Sequence, residues 1–299
     1  MRVLVTGSSG FIGSALVAAL DTRGDEVVRL GRGGGASGGP SWDPEAGTIS
    51  TVAFDGVDAV VHLAGEGIGE KKWTPEQKRR IVDSRTKGTA LLARTLADLP
   101  TKPAVLVSGS AIGYYGNRDD EVLDETSTSG DDFLAGLCRE WEAAAQPAAD
   151  AGIRLVHNRT GIVLAPQGGV LKRLLTPFRL GLGGRVATGR QWMSWIAMED
   201  TVGAILHALD HDTVRGPMNL TAPNPVTNAE LTKKLGAALH RPTLLPTPLL
   251  PLKLLYGGEL VAALLVGGQR VLPRRLTDDG YVFAQPELAG ALQSLLGAA

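Results

Sequence analysis

Short runs of β-branched residues alternate along the chain with longer stretches in which apolar residues recur at helical spacing. This alternation predicts βαβ units, in which helices cover both faces of a parallel sheet. The predicted strands are residues 2–6, 26–30, 59–63, 104–108 and 154–159. The predicted helices are residues 12–22, 75–99 and 131–151, with a further strand and helix within 192–209. The pattern therefore indicates a doubly wound α/β fold.

The character of the sequence changes after residue 222. Pro-Asn-Pro at residues 223–225 is followed by helical, proline-punctuated sequence up to the end. We expect a large domain over residues 1–222 and a smaller, mostly helical lobe over residues 223–299. Residues 244–265 are strongly apolar, but three prolines, Lys253 and Glu259 interrupt them. We expect a loop and a buried helix there rather than a helix that spans a membrane.

The first predicted strand leads into a glycine-rich turn, in the run VLVTGSSGFIGS over residues 3–14. Gly7 permits a tight turn, Gly10 lets the backbone approach a pyrophosphate, and Gly13 allows close packing of helix on strand. The helix that follows offers free N–H groups and the positive end of its dipole to phosphates. This pattern predicts a Rossmann-type dinucleotide site. Its predicted contacts are Thr6, Gly7, Ser9, Gly10, Phe11, Ile12 and Gly13.

The end of the second predicted strand indicates which dinucleotide is bound. An acidic residue at this place would bond the ribose hydroxyls of NAD, but the strand here runs into Gly31 and Arg32. A guanidinium can make two charge-assisted hydrogen bonds to a phosphate. We therefore predict NADP(H) as the cofactor, with Arg32 on the 2′-phosphate and Arg29 as the weaker candidate. The alternative is that Arg32 is an ordinary solvated arginine in the Gly- and Ser-rich segment 31–40.

The composition favours a small-molecule partner. The 299 residues carry a formal net charge of −1, which gives no positive field to attract a nucleic acid or an anionic membrane. Cys138 is the single cysteine, which excludes an intramolecular disulfide and fits a reducing cytoplasm. The five histidines are scattered, and we expect no metal site. We expect a cytoplasmic monomer or homodimer without a secretion signal.

Several motifs along the chain resemble those of the extended short-chain dehydrogenase/reductases. Beside the glycine turn, they are DAVVHLAG at 58–65, Gly88-Thr89, SGSAIGYYG at 108–116, RTGIVL at 159–164 and WIAMED at 195–200. The resemblance implies a Rossmann-type sheet and cofactor contacts along these segments. Those contacts are Leu63, Ala64, Gly65, Glu66, Arg85, Ser108, Thr160, Gly161 and Ile162, with Ser110 as the active-site serine.

A second set of motifs narrows the resemblance to one subfamily. These are LAGE at 63–66, KWT at 72–74, DSR at 83–85, CREWE at 138–142, GRQWMSWI at 189–196, APNPVTN at 222–228 and GQRVLP at 268–273. They resemble a group described as nucleoside-diphosphate-sugar epimerases, also labelled cell-division-inhibitor-like, with a characteristic small C-terminal domain. The resemblance covers essentially the whole chain.

The chain departs from the catalytic pattern of that family. A Tyr-x-x-x-Lys pair normally follows the serine, but alignment on Glu142 places Leu134 and Cys138 at those two positions. Leucine has no proton to transfer, and a thiol supplies no fixed positive charge. In one interpretation Tyr114 or Tyr115 supplies the phenol, oriented by Arg85 or Glu66, for an oxidoreductase or epimerase acting on an unknown small substrate, such as a nucleotide sugar. In the other, the protein is an NADP(H)-binding sensor or assembly factor without efficient turnover.

Residues 166–195 combine cationic and aromatic side chains between glycines. They include Lys172, Arg173, Arg179, Arg185, Arg190, Trp192 and Trp195. In the resembled family this region closes over the substrate, and arginines beside an aromatic ring would suit a phosphorylated or carboxylated ligand. The alternative is a solvated loop.

Overall fold

A computed structural model describes residues 1–33 and 39–297 of the chain. The strands are β1 (Arg2–Thr6), β2 (Glu26–Arg32), β3 (Ser41–Asp43), β4 (Thr48–Ile49), β5 (Ala59–His62), β6 (Val105–Ala111), β7 (Val122–Leu123), β8 (Arg154–Thr160), β9 (Ile162–Ala165), β10 (Trp192–Met193), β11 (Trp195–Ala197), β12 (Gly216–Leu220), β13 (Val226–Thr227) and β14 (Arg270–Val271). The helices are α1 (Phe11–Arg23), α2 (Pro75–Asp98), α3 (Phe133–Ala144), α4 (Gln146–Asp150), α5 (Gly169–Arg179), α6 (Met198–Asp210), α7 (Asn228–Ala238), α8 (Leu249–Tyr256), α9 (Gly258–Val261), α10 (Arg274–Asp278) and α11 (Leu288–Gly297). A π-helical turn, Ala262–Val266, follows α9.

Eight strands form the central sheet, in the order β12-β8-β6-β5-β1-β2-β3-β4. All neighbouring pairs are parallel except β3 with β4. The chain runs outwards from β1 in one direction through β2 and in the other through β5, so the strand order reverses between β1 and β5. Ligands of doubly wound sheets bind at this reversal, beyond the carboxyl ends of the strands. The expected doubly wound Rossmann-type sheet is confirmed.

Alternate residues of the buried strands serve two separate cores. Val3 and Val5 of β1 pack with α1 and α6 on one face, whereas Leu4 packs with α2 on the other. Because successive side chains of a strand point to opposite faces, a strand buried on both sides reads as a continuous apolar run. This is why the short Val- and Leu-rich runs predicted the central strands.

Two expected elements differ in the structure. The predicted helix 131–151 is wrong as one element: α3 ends at Ala144 and α4 starts at Gln146, because Pro147 lacks the N–H that would continue the α3 ladder and instead occupies the first turn of α4. Strand β6 continues to Ala111, three residues beyond the predicted end, and carries Ser110 on the strand itself. The predicted loop at residues 31–40 lies partly outside the described residues.

Residues 166–195 are not a single loop. Helix α5 occupies much of the segment, and Trp195 is fully buried, with its indole N–H donating to the carbonyl oxygen of Asn224. The expectation that Trp195 stacks on a ligand is therefore wrong, because the apolar ring completes the core beneath α7 and α11. Trp192 is half-buried and is covered by the Arg270 guanidinium, 4.4 Å from the ring centre.

The apolar segment 244–265 also differs from expectation. It forms α8, α9 and part of the π-helical turn, but no residue of α8 is buried. The prediction that this helix is buried is wrong for α8. The helix lies at the margin of the molecule, where Leu250, Leu254 and Leu255 face solvent although the helix is largely apolar. Among the described residues, no helix is both long and apolar enough to cross a membrane.

The glycine at position 13 is the least replaceable residue of the first turn. A Cβ there would lie 2.1 Å from the carbonyl oxygen of Gly7, a backbone atom that cannot move without distorting β1. We predict that Gly13→Ala lowers the free energy of unfolding by about 2 kcal/mol or more, as overpacking does. Chemical denaturation measures this loss. Gly290→Ala is the matched control, because its Cβ meets only Gln285, at 3.8 Å, and it should not destabilise the protein; equal effects of the two changes would contradict the argument.

Candidate functional site

The turn between β1 and α1 approaches β5 at backbone distance. Gly7 has a φ of 68°, and a Cβ there would lie 2.8 Å from the amide nitrogen of Ala64. Gly10 caps α1 without any side-chain hydrogen bond, and the first turn of α1 contains no acidic residue. Ser9 and Gly10 are exposed at this edge. The first amides of α1 are therefore open to an anion, and a diphosphate fits the turn.

A buried histidine lies beneath the groove between the β1–α1 turn (residues 7–10) and residues 63–66, which follow β5. The His62 ring lies between two hydroxyls, with Nδ1 2.7 Å from Thr6 and Nε2 2.9 Å from Thr89. The indole N–H of Trp141 also donates to the Thr89 hydroxyl, at 3.0 Å. Complete burial lowers the pKa of His62 to about 4. The neutral ring thus joins β1, β5, α2 and α3 beneath the predicted cofactor contacts, a role that the sequence did not indicate.

Residues 63–66 follow β5 directly, at the edge where the resemblance predicts cofactor contacts. The Arg85 guanidinium crosses behind them, donating to the carbonyl oxygen of Glu66 at 2.9 Å and lying over the Trp141 ring at 4.9 Å. Burial lowers the pKa of Arg85 to about 10. The Glu66 carboxylate accepts from Gln77 at 3.4 Å and lies 3.7 Å from the Lys71 ammonium. Among the described residues, neither Arg85 nor Glu66 forms a hydrogen bond or ion pair with Tyr114 or Tyr115.

Arg32 is exposed at the carboxyl end of β2, and within residues 1–33 and 39–297 its side chain forms no ion pair. Arg29 differs, since it lies 3.5 Å from the Asp21 carboxylate. Of the two arginines predicted at this place, Arg32 is the one with a guanidinium available to a phosphate.

A buried ion pair lies at the carboxyl ends of β6 and β8. Glu142 of α3 accepts from Arg159 with both carboxylate oxygens, at 2.8 and 2.9 Å, and accepts from the Ser110 hydroxyl at 2.7 Å. Burial would raise the pKa of Glu142, but the hydrogen bonds and charge of Arg159 hold it below its ordinary value. Burial would likewise lower the pKa of Arg159, but its bonds to Glu142 and Tyr115 raise it. Both groups are therefore charged.

The two candidate tyrosines have different surroundings. Tyr115 is fully buried, donating its hydroxyl to Asn219 at 2.7 Å and accepting from Arg159 at 3.1 Å. Burial raises its pKa to about 12. Tyr114 is half-buried, its ring lies 3.4 Å from the Arg159 guanidinium, and its hydroxyl has no hydrogen-bond partner among the described residues. The cation beside the tyrosines is therefore Arg159, and not Arg85 as expected.

The two positions of the missing catalytic pair are apolar in the structure. Leu134 packs against Gly113, and Cys138 is buried with its thiol 3.6 Å from the carbonyl oxygen of Ala111. Burial raises the pKa of Cys138 to about 12, so the thiolate is not formed at neutral pH. The buried thiol of Cys138 therefore fills the space at the position of the missing lysine.

The remaining predicted contacts lie along the same edge. Phe11 packs its ring under Gly168 and Gly169, while Ile12 is half-buried at the start of α1. Ser108 is buried next to His62 in the strand register, and its hydroxyl has no partner among the described residues. The segment from Thr160 to Ile162 joins the last residue of β8 to the first residue of β9, and a Cβ at Gly161 would lie 2.5 Å from the carbonyl oxygen of Ser194. The structure thus collects these residues at one edge of the sheet, although their roles stay predictions.

Sequence reasoning missed Arg159 and Asn219 as members of the site. Ser110, Arg159 and Asn219 are neighbours in the register of β6, β8 and β12, and so face the same side of the sheet. A charged residue at the end of an apolar strand was the available signal for Arg159. The interpretation of the five histidines as scattered was also wrong, because His207 and His211 are four residues apart at the carboxyl end of α6 and lie close to Asp279.

Comparison with known proteins identifies the family. Residues 3–220 match the model of the NAD dependent epimerase/dehydratase family, and residues 247–295 match a domain of unknown function, DUF1731. The chain belongs to the NAD dependent epimerase/dehydratase family. The predicted resemblance to the epimerase branch of the extended short-chain dehydrogenase/reductases, with its characteristic C-terminal domain, is thereby confirmed.

Relatives in the epimerase family match the chain over its whole length. Epimerase family protein Mb2239 of Mycobacterium bovis is 43% identical over 291 residues, 97% of this chain and 96% of that protein. Human epimerase family protein SDR39U1 is 38% identical over 99% of this chain and 100% of that protein. The crystal structure of human SDR39U1 (isoform 2) with NADPH has a TM-score of 0.91, 38% identity and complete coverage of both chains.

The burial of His62 makes the stability of the protein sensitive to acid. The ring binds a proton near pH 6.5 in the unfolded chain but only near pH 4 in the folded one, so the unfolded state gains the proton first as the pH falls. The free energy of unfolding should therefore fall by about 2 kcal/mol from this residue between pH 7 and pH 5. Burial also lowers the pKa of His157, which acts in the same direction.

Chemical denaturation at pH 7, 6 and 5 measures this dependence. The variant His62→Gln should remove about one proton from the difference in uptake, and so flatten the profile. His240→Asn is the control, because His240 is exposed at the end of α7 and asparagine tolerates its positive φ of 53°. A profile for His62→Gln as steep as that of the wild type would refute the assignment.

Proposed function

We propose that this protein binds NADP(H) at the turn between β1 and α1 and is an oxidoreductase of the epimerase type acting on a small substrate. The observation that carries the proposal is the approach of the turn to β5, which excludes side chains at Gly7 and Gly13 and leaves the first amides of α1 uncapped. Backbone amides at a helix start are suited to a diphosphate. Human SDR39U1, which matches the chain from end to end, has been crystallised with NADPH.

The choice of NADP(H) over NAD(H) rests on Arg32. Its side chain is exposed beyond the end of β2, where the ribose of a dinucleotide bound at the turn would lie. Residues 29–42 contain no acidic residue that would repel a 2′-phosphate. Cofactor contacts by Leu63, Ala64 and Gly65 follow from their position on the neighbouring strand end.

A bound nicotinamide would donate or accept a hydride, and the chain's own residues must then hold or move a proton. The Ser110 hydroxyl donates a hydrogen bond to Glu142. The lone pairs of the Ser110 oxygen therefore stay available to accept a hydrogen bond from a substrate hydroxyl. The phenol of Tyr114 is the candidate proton donor, because it is half-buried beside a cation and hydrogen-bonds to no other side chain in the described part of the chain. Tyr115 is proposed to position Arg159 rather than to react.

The C-terminal residues are proposed to form the far wall of the substrate cleft. The Ser194 hydroxyl donates to the carbonyl oxygen of Gln269, and the Gln191 amide donates to that of Leu265. These bonds tie residues 265–269 to residues 191–194, which flank β10. We propose that residues 1–222 form the cofactor-binding domain and residues 223–299 a smaller C-terminal domain. A nucleotide sugar is the candidate substrate class.

One observation favours a second function, that of an NADP(H)-binding sensor or assembly protein without turnover. The buried phenol of Tyr115 has a pKa raised to about 12, and the lysine that would lower the pKa of a catalytic phenol is replaced by Cys138. Hydride transfer to a carbonyl without proton movement is inefficient.

The Arg32→Ala variant tests the cofactor. Its affinity for NADPH should fall about ten- to hundredfold, the contribution of charge-assisted hydrogen bonds to one phosphate, whereas its affinity for NADH should stay the same. Calorimetric titration of both dinucleotides measures this. Arg94→Ala is the matched control, since Arg94 is an exposed arginine of α2 away from the groove. Unchanged NADPH affinity in Arg32→Ala, with NADH bound equally well, would rule out the phosphate contact.

A substrate screen tests the reaction. Nucleotide sugars and small ketones are incubated with the wild type, NADPH oxidation is followed by absorbance, and epimerised products are followed by NMR. With any active substrate, Ser110→Ala and Tyr114→Phe should lower kcat/KM by about 100-fold or more, as loss of acid-base groups does. Tyr115→Phe should instead mainly lower stability. Tight NADPH binding with no turnover of any compound would favour the sensor, and equal losses in Tyr114→Phe and Tyr115→Phe would refute the assigned roles.

A further inference from the structure

Three ligand-type side chains meet on the side of the molecule away from the β1–α1 turn. His207 and His211 lie one turn apart at the carboxyl end of α6, and Asp279 follows α10. One ligand atom from each of the three lies within 4.8 Å of those of the other two. We propose that His207, His211 and Asp279 form a binding site for a divalent transition-metal ion of the Zn²⁺ type. This proposal is independent of the proposed function.

The atoms that would face the ion are the right ones. The Nδ1 atom of His211 lies 2.9 Å from the carbonyl oxygen of His207. A carbonyl oxygen only accepts, so Nδ1 carries the proton and Nε2 of the neutral ring has a free lone pair. Such a bond from the second ring nitrogen is the usual way in which a protein fixes a metal-binding histidine. The exposed ring of His211 is thus in the tautomer that binds through Nε2.

The carboxylate is fixed in the same way. The Thr213 hydroxyl donates to Oδ1 of Asp279 at 2.5 Å, while Oδ2 lies 2.7 Å from Nε2 of His207. The side chains of His207 and Asp279 are 11% and 17% exposed, so both are held in place but can be reached from solvent. An ion inserted between Nε2 and Oδ2 would replace one hydrogen bond with two coordinate bonds. The ligand atoms of a tetrahedral zinc site are about 3.3 Å apart, which requires only a small opening of this pair.

The imidazoles of His207 and His211 lie against each other at the carboxyl end of α6. The rings of His207 and His211 are parallel within 23°, with their centres 3.8 Å apart. The lone pair of a ring nitrogen lies in the plane of its ring, so the exposed His211 ring must turn out of this stack for both nitrogens to reach one ion. Two imidazoles, one carboxylate and an open fourth position form a donor set suited to zinc, and copper and nickel also accept imidazole ligands. The bound ion would clamp α6 to the segment that follows α10.

Titration of the tag-free, full-length protein with Zn²⁺ by calorimetry tests the site, and the visible absorption of Co²⁺ reports its geometry. The wild type should bind one ion, and the ion should raise its Tm. His211→Ala and Asp279→Asn should each weaken binding by more than about tenfold, since the loss of a mere supporting group already costs that much. Thr213→Val, which removes such a supporting group, should weaken it about tenfold.

Two matched controls separate the site from nonspecific surface binding. His240→Asn removes an exposed histidine elsewhere, and Asp278→Asn removes the neighbouring carboxylate with the same change in net charge. Both should bind Zn²⁺ as the wild type does. His211 is exposed, and among the described residues its ring hydrogen-bonds only to the carbonyl oxygen of His207, so His211→Ala should fold, and retained NADPH binding or circular dichroism verifies this. The proposal is overturned if the wild type binds neither Zn²⁺ nor Co²⁺, or if His211→Ala binds them equally well.

Discussion

The backbone contact between the first turn and β5 is the constraint on which the rest of the site depends. The turn has no room for a Cβ at Gly7 or Gly13, and on both sides the obstructing atoms belong to backbone that is fixed by the β1–β5 ladder. The start of α1 is therefore held against the reversal point of the sheet with its amides uncovered. His62 reinforces the same contact from below, because its ring hydrogen-bonds to Thr6 of β1 and to Thr89 of α2.

Along that edge, the charged groups are a buried ion pair, whereas Leu134 and Cys138 occupy the positions of the tyrosine and lysine expected from the resemblance. The positive charge belongs to Arg159, which comes from the sheet rather than from a helix and is neutralised by Glu142. Removing either partner would leave an uncompensated buried charge, which is far more costly than losing the pair as a whole. Arginine does not give up its proton in proteins. In the proposed reaction, the moving proton would therefore come from Ser110, Tyr114 or Glu142, and Arg159 would orient these groups.

Local patterns predicted the fold well, but contacts between distant strands could not be predicted. The glycine turn and the apolar runs of β1, β5 and β6 are encoded within a few residues, so their strands and the groove could be located. The link from Ser110 to Arg159 and Asn219 depends on the order β6-β8-β12, which periodicity does not contain. Hydropathy also failed for α8, because apolar character does not show whether a neighbouring element covers a helix.

Buried hydrogen bonds to the sheet and to α6 restrict how far the C-terminal residues can move. Asn219 accepts from Tyr115 and donates to the carbonyl oxygen of Leu272, so the buried network and the C-terminal lobe share one side chain. At the amino end of α6, the buried Asp200 carboxylate accepts from the backbone amides of Ala284 and Gln285. A rigid-body movement of this lobe would break both sets of buried bonds, each of which is costly to leave unpaired. Local movement of the C-terminal residues is therefore easiest at α8, whose leucines are exposed.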